Sequence, residues 1–87
     1  NTVVIPTAFS PNDDDQNDLF RLIGVGIERY ELSVFDRWGN ELYSGDAAWD
    51  GTKDGTALNI GTYVYYANVT FNDGSQEFYT GNVILVR

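Results

Sequence analysis

The apolar and polar positions of this chain alternate with a period of two, the signature of β-strands with one face turned inward. Tyr30, Leu32 and Val34 alternate with Glu31, Ser33 and Phe35, and Tyr63, Tyr65, Ala67, Val69 and Phe71 with Val64, Tyr66, Asn68 and Thr70. No segment carries a helical stripe. Runs rich in β-branched and aromatic residues predict strands at about 3–9, 19–24, 29–37, 40–44, 61–71 and 76–86. Turn residues separate them: Trp38-Gly39-Asn40, Asp50-Gly51, Asp54-Gly55, Asn59-Ile60-Gly61 and Asn72-Asp73-Gly74-Ser75. Two hairpins follow: Arg29–Arg37 with Asn40–Ser44, and Thr62–Phe71 with Gln76–Val86. Several short strands in one small domain predict an antiparallel β-sandwich of about seven short strands. The segment 45–60 reads as a long crossover with Trp49 as its one large anchor. The simplest role for that indole is to plug the core edge; its rival is a sugar-stacking platform.

Composition narrows the function. Eighty-seven residues make a single domain, 1–87, with 43% apolar residues, enough for a core. There is no cysteine and no histidine, which removes disulfides, thiolate metal sites and the commonest general base. With neither, a nucleophile would need Lys53 or a carboxylate as its base, and no Ser-Lys spacing occurs; the chain is not expected to be an enzyme. A net charge of −8 argues against nucleic acid and anionic lipid and favours cations or a basic protein partner. No apolar run approaches the ~20 residues of a membrane helix, so no membrane insertion is expected. With neither a start methionine nor a signal-like N-terminus, the chain reads as a piece cut from a longer polypeptide.

Charge is densest at Asn12-Asp13-Asp14-Asp15-Gln16-Asn17-Asp18. Asn12, Asp14 and Asp18 can converge oxygens on a hard cation, calcium above all, with Gln16 contributing mainly its backbone carbonyl. Asp13 and Asp15 would point outward or form a weaker outer ring. This is no EF-hand: Asn17 stands where that loop needs glycine at its sixth position, and no glutamate follows at its twelfth. The other reading is an Asx-rich turn whose side chains cap backbone N–H groups. Both stand at this point, and a metal here would be structural. The charges elsewhere, such as Glu28, Glu31, Glu41, Glu77, Arg21 and Arg29, read as solvated strand faces.

Five blocks occur in order along the chain: Ile5-Pro6-Thr7-Ala8-Phe9-Ser10-Pro11-Asn12 with Asp14, Asn17-Asp18 and Phe20; Val34-Phe35-Asp36-Arg37-Trp38-Gly39-Asn40; Trp49-Asp50-Gly51; Gly61-Thr62-Tyr63-Val64-Tyr65; and Gly81-Asn82-Val83-Ile84-Leu85-Val86-Arg87. Together they resemble the gliding-motility-associated C-terminal domain of Bacteroidetes surface proteins, the type B C-terminal domain of the type IX secretion system. The sequence departs from the family's P-N-G-D-G by placing Asp13 and Asp15 at its two glycines, and from its usual Asn by Asp36. The resemblance implies an Ig-like fold and a C-terminal secretion signal. Such a domain directs a large cargo, often an adhesin, to the cell surface or medium via the periplasm and outer membrane. It implies as partners the translocon and an outer-membrane protein of the PorP/SprF kind, and Arg87 as the end of the protein.

For that function the expected recognition surfaces are the turn Arg37-Trp38-Gly39 and the last strand, through Gly81, Ile84, Val86 and Arg87. A purely structural reading of Arg37 and Trp38 has the indole packed over the hairpin and the guanidinium stacked on it or bonded to loop carbonyls. The competing function is a calcium-stabilised Ig-like adhesion or carbohydrate-binding module, with Tyr43, Tyr63, Tyr65, Tyr66 and Tyr79 as candidates for an aromatic platform.

Overall fold

A computed structural model describes residues 2–10 and 19–86. The acidic segment, with its candidate calcium ligands Asn12, Asp14, Gln16 and Asp18, lies outside the described residues, as does Arg87. The described residues form nine strands and no helix. They are β1 (Thr2–Val4), β2 (Ala8–Phe9), β3 (Ile23–Val25), β4 (Ile27–Phe35), β5 (Glu41–Gly45), β6 (Thr52–Lys53), β7 (Thr56–Ala57), β8 (Gly61–Phe71) and β9 (Gln76–Leu85). One five-stranded sheet, in the order β2-β9-β8-β4-β5, carries most of the hydrogen bonding; β1-β3 and β6-β7 are separate two-stranded pairs. The architecture is all-β and fits the expected Ig-like sandwich.

Both hairpins form where the alternation and turns place them. β8 and β9 pair without a break from Gly61↔Leu85 to Thr70↔Gln76. The turn between them closes through Asp73, whose carboxylate accepts hydrogen bonds from the Ser75 N–H (2.9 Å) and hydroxyl (2.6 Å), with Gly74 at positive φ. β4 pairs antiparallel with both β8 and β5. The expected strand 3–9 is two strands. Around Ile5-Pro6 the chain leaves the β1-β3 pair and joins the large sheet, where β2 pairs with β9 in parallel. Proline supplies no N–H for a ladder and stands at the gap between the two strands.

The alternation buries one face of the large sheet completely. Leu32, Val34, Tyr63, Tyr65, Ala67, Val69, Phe71, Val83 and Leu85 form its inner side, and Phe9, Phe20, Leu22 and Trp49 complete the core. Trp49 is wholly buried and belongs to the centre rather than the rim. Its ring lies 5.3 Å from Phe9 and 5.5 Å from Tyr63, and its Nε1–H donates to the Thr52 carbonyl at 3.0 Å. The indole thus contributes a large apolar area while its one polar atom is satisfied. A fully buried Trp49 cannot stack on a sugar. The following Asp50-Gly51 turns the chain: the Asp50 carboxylate accepts from the Thr52 N–H and hydroxyl, and Gly51 takes φ 82°.

Candidate functional site

The turn between β4 and β5 is organised by one carboxylate. Asp36 accepts hydrogen bonds from the N–H groups of Trp38 and Asn40 and from the Asn40 side-chain amide, each at 2.9 Å. The Asp36 N–H donates to the Asn40 carbonyl (3.0 Å) and the Gly39 N–H to the Asp36 carbonyl (3.2 Å). Gly39 sits at φ 88°, a conformation that any Cβ would strain. The Asn40 amide, and then the backbone donors, hold the Asp36 carboxyl below its ordinary range. Asparagine here could accept at one oxygen only, so aspartate fits this three-donor turn better than the residue usual in the resembled family.

What the turn presents is Trp38, 77% exposed. The Arg37 guanidinium lies 5.4 Å from its ring centroid. The stacking expected from the sequence is present, but the indole does not pack over the hairpin; it faces solvent. Ordinary core packing does not explain an exposed tryptophan on a turn this well tied down.

The register brings this turn to the same end of the sheet as the last strand. Phe35 pairs with Val64, and Val64 with Asn82, so the turn lies in the rows next to Thr62↔Ile84. Only β8 separates the two regions. Between turn and sheet is an open depression of about 450 Å³, lined by Phe35, Asp36, Arg37, Gly39, Val64 and Tyr66. Of the residues expected on the last strand, Ile84 and Val86 are exposed. At Gly81 a Cβ would stand 3.0 Å from the Tyr65 hydroxyl on the inner face, so the backbone there passes close to that ring.

The outer face of the large sheet is not covered by any described residue. Tyr66 and Phe78 are exposed there, 6.0 Å apart and stacked, and Phe35 meets Tyr66 edge-on at 5.5 Å. Sequence reasoning did not single out Phe35 or Phe78, because alternation does not say which of two apolar faces is covered. Nor do the five candidate tyrosines form one platform. Tyr63 and Tyr65 are buried, Tyr43 and Tyr79 pack against the core, and Tyr66 alone stands on the outer face. Burial also holds the Tyr65 hydroxyl, and that of Tyr30, above the ordinary tyrosine range.

Among the described residues no group of three or more Asp, Glu, His or Cys could hold a metal. The one ion pair among them, Arg29–Glu28 at 2.9 Å, is exposed on both sides and contributes little.

A family model described as CHU_C, the type IX secretion signal domain, matches residues 3–85. No curated protein matches the chain. Among solved structures, the crystal structure of CopC from Methylosinus trichosporium OB3b is similar in fold, with a TM-score of 0.60 over 98% of this chain and 89% of that one. At 18% identity the likeness extends to the fold alone.

Proposed function

The chain belongs to the CHU_C family of type IX secretion signal domains, and from that premise we propose that it exports a surface adhesin by presenting the Asp36–Asn40 turn and the adjoining end of β9 to the translocon. Membership carries the coarser statement: this is a signal for export out of the cell by the type IX system, in a family defined by secretion and not by catalysis. The finer reading rests on one observation. A rigid turn holds Trp38 out to solvent, beside the exposed Ile84 and Val86. Exposed aromatic anchors on ordered backbone are what protein interfaces are built around. The partner that this reading names is an outer-membrane protein of the PorP/SprF kind acting with the translocon. Delivery via the periplasm to the cell surface or medium belongs to the same reading.

The test is a fusion of residues 1–87 to a reporter in a type IX-competent cell. Export of the reporter, lost in a Trp38→Ala variant whose melting temperature is unchanged, supports the reading. A wild-type fusion retained inside the cell would overturn it.

One observation favours a second reading, an Ig-like carbohydrate-binding module: the exposed pair Tyr66 and Phe78, with Asn68, Thr80 and Asn82 around it on the outer face. Specific retention of a glycan by the isolated chain, lost in Tyr66→Ala, would support it.

A further inference from the structure

The two edges of the large sheet are built differently. β5 is five residues long and its register with β4 shifts at Val34/Phe35. It begins with Glu41, whose carbonyl accepts from the Lys53 ammonium at 3.3 Å. Shortness, a bulge and nearby charge are the devices that keep a strand edge from pairing with another chain. β9 is neither short nor bulged. It is ten residues long, straight in register throughout, free of proline and lysine, and carries one charge, Glu77.

Among the described residues, only the end of β9 is covered. The Ile84 and Val86 N–H groups donate to the carbonyls of Thr7 and Phe9, at 2.9 and 3.0 Å. Alternation along a strand then fixes the rest: the backbone groups of Asn82, Thr80, Phe78 and Gln76 point to the same edge. Among the described residues no strand pairs with them. The side chains of these residues lie on the open face, where Phe78 is 64% exposed with Tyr66 on its inner flank.

We propose that this edge, from Gln76 to Asn82, receives an extended segment of a partner protein as an added strand, continuing the line that β2 occupies at Ile84–Val86. The backbone dictates the occupant, because an extended chain is what offers donors and acceptors at the matching spacing. Phe78 selects an apolar or aromatic residue opposite it. The net charge of −8 selects a neutral or basic segment and disfavours a second copy of this chain. The identity of the partner as a component of the export machinery rests on the secretion reading; the edge itself does not.

The 87-residue chain is panned against a displayed library of random decapeptides, and hydrogen exchange is measured with the selected peptides bound. The expected result is about tenfold or greater slowing at the Phe78, Thr80 and Asn82 amides. Asn82→Pro deletes one outward N–H at an edge where proline is tolerated, and is expected to weaken binding about tenfold. Phe78→Lys, which places a charge on the edge without touching the backbone, is expected to do the same; Ser44→Lys, on the other edge strand, should not. A library that yields no binder, or binders that leave these three amides exchanging at the free rate, overturns the inference. So does a stable dimer that protects them without peptide. In the export assay, undiminished secretion of Asn82→Pro and Phe78→Lys overturns the strand-addition mode and leaves the secretion reading standing, whereas retention of the wild-type fusion strikes the secretion reading alone.

Discussion

Phe20 and Trp49 exchange both of their backbone hydrogen bonds, at 2.8 and 2.9 Å, although neither belongs to a strand. This single bridge ties the segment before β3 to the crossover between β5 and β8, and it does so at the centre of the core. Both side chains are wholly buried, so backbone pairing and apolar packing reinforce each other at one point. Trp49→Ala is therefore expected to destabilise the fold by about 3–5 kcal/mol. Trp49→Phe, which retains most of the ring contacts but leaves the Thr52 carbonyl without its donor, should cost about 1–3 kcal/mol. Urea denaturation followed by circular dichroism reads both, since the substitutions remove a fluorophore.

Asp36 makes the β4–β5 turn sensitive to acid. Its carboxyl titrates below the ordinary 3.8 because the ionised form accepts hydrogen bonds from Asn40 and the turn backbone. A group whose folded value is depressed stabilises the fold above its unfolded value and loses that contribution as pH falls through the folded value. The stability difference between wild type and Asp36→Ala should accordingly be full at neutral pH and shrink as pH falls from about 5 to about 2. Equal differences across that range would contradict the assignment.

At the alkaline end the sign reverses. Burial raises Tyr65 and Tyr30 above the ordinary 10.0, so each contributes stability that is complete below that value and is lost as pH rises through the folded one. Tyr65→Phe keeps the ring, which packs 5.3 Å from Phe20, and removes the ionisable hydroxyl. Its melting temperature is expected to fall less steeply than that of wild type above about pH 10. Ultraviolet titration of phenolate should show one late-ionising tyrosine fewer.

For the acidic segment the expectation is thermal. With calcium held structurally by Asn12, Asp14, Gln16 and Asp18, chelation lowers the melting temperature, as removal of any ligand that binds only the native state does. Asp14→Ala should abolish the difference between chelated and calcium-loaded samples. A melting curve indifferent to chelator in the wild type would leave an Asx-rich turn.

Much of this was legible from residue order, and the reasons differ by element. The pairings of β4 with β5 and of β8 with β9 follow from alternation and from turns such as Asn72-Asp73-Gly74, which act over a few residues. Trp49 was harder to place, because a loop residue is buried by strands far from it in sequence. The short β6-β7 pair, turned at Asp54-Gly55 with both residues at positive φ, is too brief to leave a periodic trace. Which sheet face is covered was equally hidden: Phe35, Val64, Tyr66 and Phe78 read as apolar as the residues behind them. The exposed indole of Trp38 was anticipated as a candidate by motif, yet its exposure depends on how Asp36 gathers the turn.

The parallel contact of β2 with β9 joins the first strands to the last. Because β9 also supplies Val83 and Leu85 to the core, a polypeptide stopped before Gln76 lacks the strand with which β2 and β8 both pair. Non-local pairing of this kind must offset loop-closure entropy before it stabilises the fold, and so is slow to form. The turn at Asp36–Asn40 and the edge at Gln76–Asn82 therefore belong to one cooperative unit, in which a defect at either end of the sheet is felt at the other.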